Sequence, residues 1–316
     1  MFEVTREMLE KALEEERGKF DKLNKNVTKF LPPCLLIFGV ISGFIFFFAP
    51  IGVSFGTKLL RWLAMIAVLV IVGIIVFLIS FARQHKMTVM DIIKSAVLGK
   101  KYTEAMKLGT DDKIKWLKAT LSKAKTPYEK LNAVYFLIQV YAESCMDNEA
   151  DECFKLLSQI SPKKKAEKIM YLETQLMYYD YKDDAENYLR TYSKNDDILK
   201  LKWDMTLSEQ LGVFHSYLNY TMINQEFEKS LELYNLALEI HDKAAQINKV
   251  FALTDEAKNL CCLDYAMLYC KLGEKEKSAE SFRVALERFE NTDKPSLKKH
   301  LEKVRGMLDE AGIDYT

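Results

Sequence analysis

Two long apolar runs near the start of the chain limit its possible folds more than any other feature. They cover Leu31–Phe55 and Trp62–Ala82 in a 316-residue sequence that is otherwise rich in charge. The second run is 21 residues long and contains no charged side chain. As a helix it would be about 31 Å long, which is enough to cross a hydrocarbon core of about 30 Å. This pattern predicts a transmembrane helix.

The first run has the features of a second, shorter span. It opens with Pro32 and Pro33, which suit the start of a helix rather than its interior. It ends near Pro50, and the residues that follow favour a tight turn. We therefore predict a hairpin of two transmembrane helices, at about residues 31–49 and 60–82.

A signal peptide and a buried core hairpin fit the two runs less well. A secretory signal peptide has a shorter apolar core after a brief basic stretch, whereas thirty residues with seven acids precede the first run here. A buried hairpin in a soluble protein usually keeps a polar face, and it is the less favoured alternative. Neither predicted span contains Asp, Glu, Lys or His, which a transporter would normally need. We therefore interpret the hairpin as an anchor.

Flanking basic residues predict the orientation of the hairpin. Five Lys or Arg residues lie within 17–29 and five within 83–101, but the loop between the runs has only Lys58 and Arg61. Because Lys- and Arg-rich flanks stay in the cytoplasm, both termini are expected there. The predicted localisation is an integral membrane protein, with a bacterial inner membrane favoured.

Charge distinguishes three further segments. Residues 1–30 hold seven acids and seven bases and are predicted to form a cytoplasmic amphipathic helix with a basic flank. Residues 83–130 hold twelve bases and five acids, net +7, and are predicted to be juxtamembrane helices that can contact anionic lipid. Residues 131–316 hold 24 bases and 33 acids, net −9, which argues against a nucleic-acid partner because nucleic acids attract basic surfaces.

The remaining composition predicts helices and offers little chemistry. With only 12 Gly and 6 Pro and many strong helix formers, the chain is predicted to be all-α. The six cysteines form no C-x-x-C pair and the four histidines are scattered, so we expect no metal site. No glycine-rich phosphate loop, H-E-x-x-H or G-x-S-x-G motif occurs. We therefore expect no cofactor and no enzyme activity.

Helix signals recur after residue 125 as pairs of a long and a shorter helix. Thr126-Pro127 is an N-cap followed by proline at the first helical position, and Gly273 marks the break within the last pair. The acid pairs Asp183-Asp184 and Asp196-Asp197 are assigned to turns. The predicted pairs are Tyr128–Cys145 with Glu149–Ile160, Ala166–Lys182 with Asp184–Tyr192, Ser208–Ile223 with Glu226–Ile247, and Asp255–Leu272 with Glu274–Phe289.

The second helices of these pairs share a pattern of small and large residues. The small residues are Ala150, Ala185, Ser230 and Ser278, and the large residues four positions later are Phe154, Leu189, Tyr234 and Phe282. The small residues are 35, 45 and 48 positions apart. Small residues let two helices approach closely, and the large ones fill the space towards the next pair.

This pattern resembles the tetratricopeptide repeat, a helix-turn-helix unit of about 34 residues. The last unit matches best, through Ala266, Tyr269, Gly273, Ser278, Phe282 and Ala285. The first unit matches through Tyr141, Ala150, Phe154 and Pro162. The resemblance covers roughly residues 131–290 and implies an α-solenoid within the segment 131–316. A non-repeating helical bundle is the alternative fold.

Both ends of the chain outside the repeats have amphipathic helix patterns. From Pro295 onward, Leu297, Leu301, Val304 and Leu308 share one face while charged residues occupy the other. This helix is expected to cap the C-terminal end of the stack. The first twenty residues are expected to form a short amphipathic helix that packs on the solenoid base or on a partner helix.

The tetratricopeptide resemblance implies a binding groove lined by the first helix of each pair. The implied groove residues are Asn132, Tyr135, Gln139, Tyr171, Tyr178, His215, Asn219, Asp264 and Lys271. The expected function is a membrane-anchored interaction module, a scaffold or adaptor that recruits a protein or peptide partner. The alternatives are an accessory subunit of a membrane enzyme complex and a structural, self-associating membrane protein.

Overall fold

The computed structural model describes residues 1–47, 60, 63, 101–289 and 292–315 of the chain. This part is all-α and contains no β-strand, which confirms the predicted fold class at that level. Its helices are α1 Arg6–Phe47, α2 Thr110–Lys123, α3 Pro127–Glu143, α4 Asp147–Leu157, α5 Lys165–Tyr181, α6 Ala185–Lys194, α7 Asp196–Trp203, α8 Leu207–Ile223, α9 Phe227–Ile247, α10 Asp255–Lys271, α11 Lys275–Phe289 and α12 Pro295–Glu310. A 3₁₀ turn, Lys249–Phe251, follows α9.

The chain divides into two compact units. The first combines Met1–Glu16 with Lys107–Thr316 and is called the helical domain below. The second is Arg17–Met106. Helix α1 begins in the helical domain, which also contains all of α2 to α12.

Helix α1 corrects the predicted start of the first apolar helix. It runs without a break through Pro32 and Pro33, although proline removes a backbone donor from a helix interior. The amphipathic start of the chain and residues 31–47 of the first apolar run are therefore parts of one helix.

The predicted membrane localisation is also wrong. Among the helices that the structure describes, none is both long and apolar enough to cross a bilayer. The second predicted span, about residues 60–82, lies outside the described residues apart from Leu60 and Leu63. The expected integral membrane protein with two cytoplasmic termini is not what this structure describes.

The four predicted helix pairs are present, as α3/α4, α5/α6, α8/α9 and α10/α11. The first pair begins at the predicted Thr126 cap, where Thr126 and Glu129 form a capping box. Each pair turns through one residue in the left-handed region, and these residues are Cys145, Asp183, Gln225 and Gly273, with φ of 53°, 51°, 62° and 78°. The next residue's amide donates to the carbonyl five positions back at 2.8 or 2.9 Å in all four turns. The same Schellman turn thus closes every first helix.

These turns correct the repeat register predicted for the second pair. The left-handed residues are 38, 42 and 48 positions apart, rather than 35, 45 and 48. Five positions after each lie Ala150, Tyr188, Ser230 and Ser278, all of which are buried. Tyr188, not Ala185, therefore occupies the small-residue position in α6, and Ala185 is exposed. Nine positions after each turn residue is an aromatic one, Phe154, Tyr192, Tyr234 or Phe282.

Helix α7 is an insertion that the sequence patterns did not predict. Asp196 and Asp197, which were expected in a turn, form its first helical turn, where acidic side chains favour the positive end of the helix dipole. The helix buries Leu199 and Lys202 and lies between the second and third pairs. It consequently brings one lysine into the interior of the domain.

The N-terminal segment packs into the helical domain rather than standing apart from it. Val4, Leu9, Ala12 and Leu13 are buried in the same apolar cluster as residues of α5 to α9, including Phe214. Arg6 pairs with Glu239 of α9 at 2.9 Å. The first sixteen residues thus complete the core of a domain whose other helices begin after residue 106.

Helix α12 packs against the last helix pair through its predicted apolar face. Leu297, Leu301, Val304 and Leu308 are buried against α10 and α11 in a second apolar cluster. Its charged face reaches back towards the second pair, where Lys303 Nζ lies 2.6 Å from Asp183 Oδ1. The last helix and the end of α5 therefore lie on the same side of the domain.

Candidate functional site

The helical domain contains a large recess of about 790 Å³. Its walls come from the C-terminal part of α5, from α8, from the start of α9, from α10 and from α12. Six of its lining residues are apolar, namely Met222, Ile223, Phe227, Met267, Leu268 and Met307. The polar lining includes Asp180, Asp183, Asn219, Asp264, His300 and Lys303. The recess can therefore accept a ligand that has both apolar and polar groups.

A small recess of about 270 Å³ adjoins it. It is lined by residues of α3, α5, α7 and α8, among them Tyr135, Glu173, Lys202 and His215. Asp180 and Asn219 line both recesses, so the two form one surface along the first helices of the pairs.

Five of the nine predicted groove residues line these recesses. Tyr135 and His215 line the small one, Asp264 and Lys271 the large one, and Asn219 both. The sequence pattern thus placed these five side chains on one continuous surface, although it does not show what binds there.

The other four predicted groove residues lie elsewhere. Asn132 is buried, and Gln139 donates to Glu143 Oε1 at 3.0 Å along the same helix. Tyr171 is half-buried and lines neither recess. Tyr178 stacks on Phe154 with ring centroids 3.7 Å apart and donates its hydroxyl hydrogen to Asp151 at 2.8 Å, so it joins the first pair to the second.

Asp180 is the central ionisable group of the surface. Its side chain is open to solvent, but the recess walls surround it with protein. The protein atoms that replace part of its surrounding water, followed by the neighbouring Asp183 and Asp264, raise the pKa of Asp180 above its ordinary value, against the opposing effects of Lys303 and His300. The carboxyl group accepts a long hydrogen bond from Asn219 Nδ2 at 3.4 Å and forms no ion pair with any described residue.

The two neighbouring aspartates already have basic partners. Asp183 Oδ1 is paired with Lys303 Nζ at 2.6 Å. Asp264 Oδ1 is 3.5 Å from His300 Nε2. Asp180 is therefore the acid of this recess that has no basic side chain within ion-pair distance among the described residues.

Lys202 is the buried cation of the small recess. Its side chain is 6% exposed and pairs with Glu173 of α5, while Nζ is 3.6 Å from Glu209 Oε2 of α8. The backbone of Gly212 makes room for it, because a Cβ at this position would lie 2.7 Å from Lys202 Nζ. Burial, and then Glu173, raise the pKa of Glu209, and Lys202 opposes them. One ammonium group thus offsets two carboxylates.

His215 and His241 form a hydrogen-bonded pair beside this network. His241 Nδ1 is 2.9 Å from the carbonyl oxygen of Phe251, which can only accept, so Nδ1 carries the hydrogen. His241 Nε2 in the neutral pair must then accept from His215 Nε2 at 2.9 Å. This assignment leaves His215 Nδ1 with its lone pair, as a hydrogen-bond acceptor. The surrounding protein, and then His241 and Lys202, lower the pKa of His215 to about 4, although part of this residue is exposed to solvent.

Lowering the pH from 7 to 5 is expected to reduce the Tm of the chain through His215. Its pKa of about 4 in the folded state is below the ordinary value of about 6.5, so the unfolded chain binds more protons between those values. The stabilisation is complete above about pH 6.5 and is lost towards pH 4. His215→Gln keeps an N–H for His241 and cannot be protonated, so its Tm should fall less than that of the wild type. An unchanged decrease in His215→Gln would contradict the assignment.

Sequence reasoning missed Asp180, Lys202, Glu173 and His300 as members of this surface. Glu173, Met177 and Asp180 follow one another at helical spacing on α5, on the face opposite to Tyr171 and Tyr178. The predicted groove residues Tyr171 and Tyr178 lie on the other, aromatic face of α5. The spacing of the acids is the sequence signal that could have identified the face that lines the recesses.

Among the described residues, no three His, Cys, Asp or Glu side chains lie close enough together to bind one metal ion. Comparison with known proteins adds no family: no protein-family profile matches the chain, and neither the curated proteins nor the solved structures give a match.

Proposed function

We propose that this chain is a protein-interaction module of the tetratricopeptide-repeat type, whose two adjoining recesses bind a segment of a partner protein. The observation that carries the proposal is the continuous surface formed by the first helices, which holds 790 Å³ and 270 Å³ recesses sharing Asp180 and Asn219. The four equivalent Schellman turns support a repeat architecture beneath it.

The lining suits a protein segment better than a compact small molecule. Met222, Met267 and Met307 contribute flexible side chains that adapt to different apolar surfaces. Polar acceptors lie between them and can orient a backbone or a polar side chain. The recesses also extend across several helix pairs, which matches the length of an extended or helical peptide.

A peptide selection tests this proposal. The purified full-length chain would be used to select binders from a random peptide display library, and the affinity of each binder would be measured by fluorescence anisotropy. Met267→Trp fills the large recess and is expected to weaken binding about tenfold or more. Glu280→Trp, at an exposed position on α11, is the matched control and should leave affinity unchanged.

Thermal unfolding of both variants would show that their folds are intact. If Met267→Trp binds the selected peptides as tightly as the wild type, or if no binder emerges, the recesses are not the interaction surface.

A further inference from the structure

Resting on the function proposed above, we infer that the large recess binds a partner segment carrying a lysine or arginine flanked by apolar residues, with the cationic group placed against Asp180. The partner is thereby specified by its chemistry and not by its identity. The reason lies in how charge and apolar surface are divided within the recess.

Charge complementarity selects a cation rather than an anion. Three aspartates, Asp180, Asp183 and Asp264, and two lysines, Lys271 and Lys303, line the recess, so its carboxylates outnumber its ammonium groups. Asp183 is paired with Lys303, and Asp264 lies beside His300. The remaining carboxylate has one hydrogen-bond donor, the Asn219 amide, at 3.4 Å. An ammonium or guanidinium group would supply the missing charge and stronger hydrogen bonds.

The adjoining small recess strengthens the same preference. Glu173 and Asp180 line it together with one cation, Lys202, and His215 Nδ1 is an acceptor in the neutral histidine pair. Acceptors and net negative charge therefore continue along the surface from Asp180. A ligand with several donors, such as an arginine side chain, matches this arrangement.

The apolar wall determines what must flank the basic residue. Phe227 and Met222 approach from α9 and α8, and Met267 and Met307 approach from α10 and α12. Apolar side chains of a partner would displace water from this wall, and a purely polar basic peptide would leave it exposed. We therefore expect the basic residue to lie between apolar ones.

The test uses the peptides selected for recess binding and a double-mutant cycle. Asp180→Asn is expected to weaken a peptide that contains lysine or arginine about tenfold or more. Replacing that lysine with norleucine, or arginine with citrulline, should weaken binding to the wild type similarly and should remove the effect of Asp180→Asn. Asp242→Asn, an exposed acid outside both recesses, is the control and should not change affinity.

Measuring the Tm of Asp180→Asn distinguishes a loss of binding from a loss of folding. Partial desolvation and the neighbouring aspartates disfavour the ionised carboxylate of Asp180. The Tm of Asp180→Asn at pH 8 should therefore be no lower than that of the wild type. Peptides that are sensitive to Met267→Trp but lack a basic residue, or are indifferent to Asp180→Asn, would overturn this inference and leave the interaction module standing. Absence of any peptide sensitive to Met267→Trp would overturn both.

Discussion

Replacing Leu9 with alanine is expected to lower the free energy of unfolding of the helical domain by about 2–5 kcal/mol. Leu9 is 0% exposed and lies in the apolar cluster formed by α5 to α9. Alanine removes three carbons from a site that helices far away in sequence enclose, so the cavity can close only partly. Urea unfolding of the full-length chain, followed by circular dichroism at 222 nm, would measure the change.

The neighbouring Lys11 offers a matched control. It is exposed on the same helix, so Lys11→Ala should change the free energy of unfolding by no more than about 0.5 kcal/mol. Equal transitions for the two variants would mean that residues 1–16 do not belong to the cooperative core. A large difference would establish that the start of the chain is structural to the domain that holds both recesses.

Local signals were sufficient to locate most helices. Thr126-Pro127 and Glu129 specify a capping box, and Gly273 specifies a left-handed turn, because each effect depends on neighbouring residues only. The equivalent turn residues are Cys145, Asp183 and Gln225. Because none of them is a glycine, the sequence does not predict a left-handed conformation there. This is why the register of the second pair was misplaced by the spacing of small residues.

Features that depend on distant contacts were not predictable in the same way. Helix α7 is too short for a helical period to stand out, and its burial of Lys202 depends on carboxylates from α5 and α8. The packing of Leu9 likewise depends on residues more than one hundred positions away. Apolar periodicity indicates that a face is buried but not which helices bury it.

The candidate surface was predictable only at helices where the groove positions carry unusual residues. His215, Asn219 and Asp264 stand out because polar groups interrupt otherwise apolar helices. On α5, the conspicuous aromatic residues serve packing, since Tyr178 stacks on Phe154. The groove side of that helix carries Glu173 and Asp180, which resemble ordinary solvated acids in the sequence. Their position in the recess walls depends on how α5 packs against the helices around it.

Lys202→Met is expected to lower the free energy of unfolding by about 2–4 kcal/mol at pH 8. The substitution keeps the length and apolar stem of the side chain but removes the ammonium group. Glu173 and Glu209 would then lose their shared cation. Breaking a fully buried pair costs about 3–5 kcal/mol, and the loss here should be smaller because the two carboxylate side chains are 29% and 36% exposed.

The pH dependence of this loss distinguishes charge from packing. The pKa of Glu209 is already raised by burial and by Glu173, and removing Lys202 would raise it further. A carboxyl group whose pKa is higher in the folded state destabilises the fold above that pKa and not below its unfolded value of about 4.3. The Tm difference between Lys202→Met and the wild type should therefore be large at pH 8 and small near pH 4. Adding Glu173→Gln and Glu209→Gln to Lys202→Met should restore most of the stability at pH 8, because uncharged amides need no cation. A loss of unfolding free energy that is independent of pH and persists in the triple variant would show that Lys202 acts through packing. One ammonium group would then not balance two carboxylates beside the small recess.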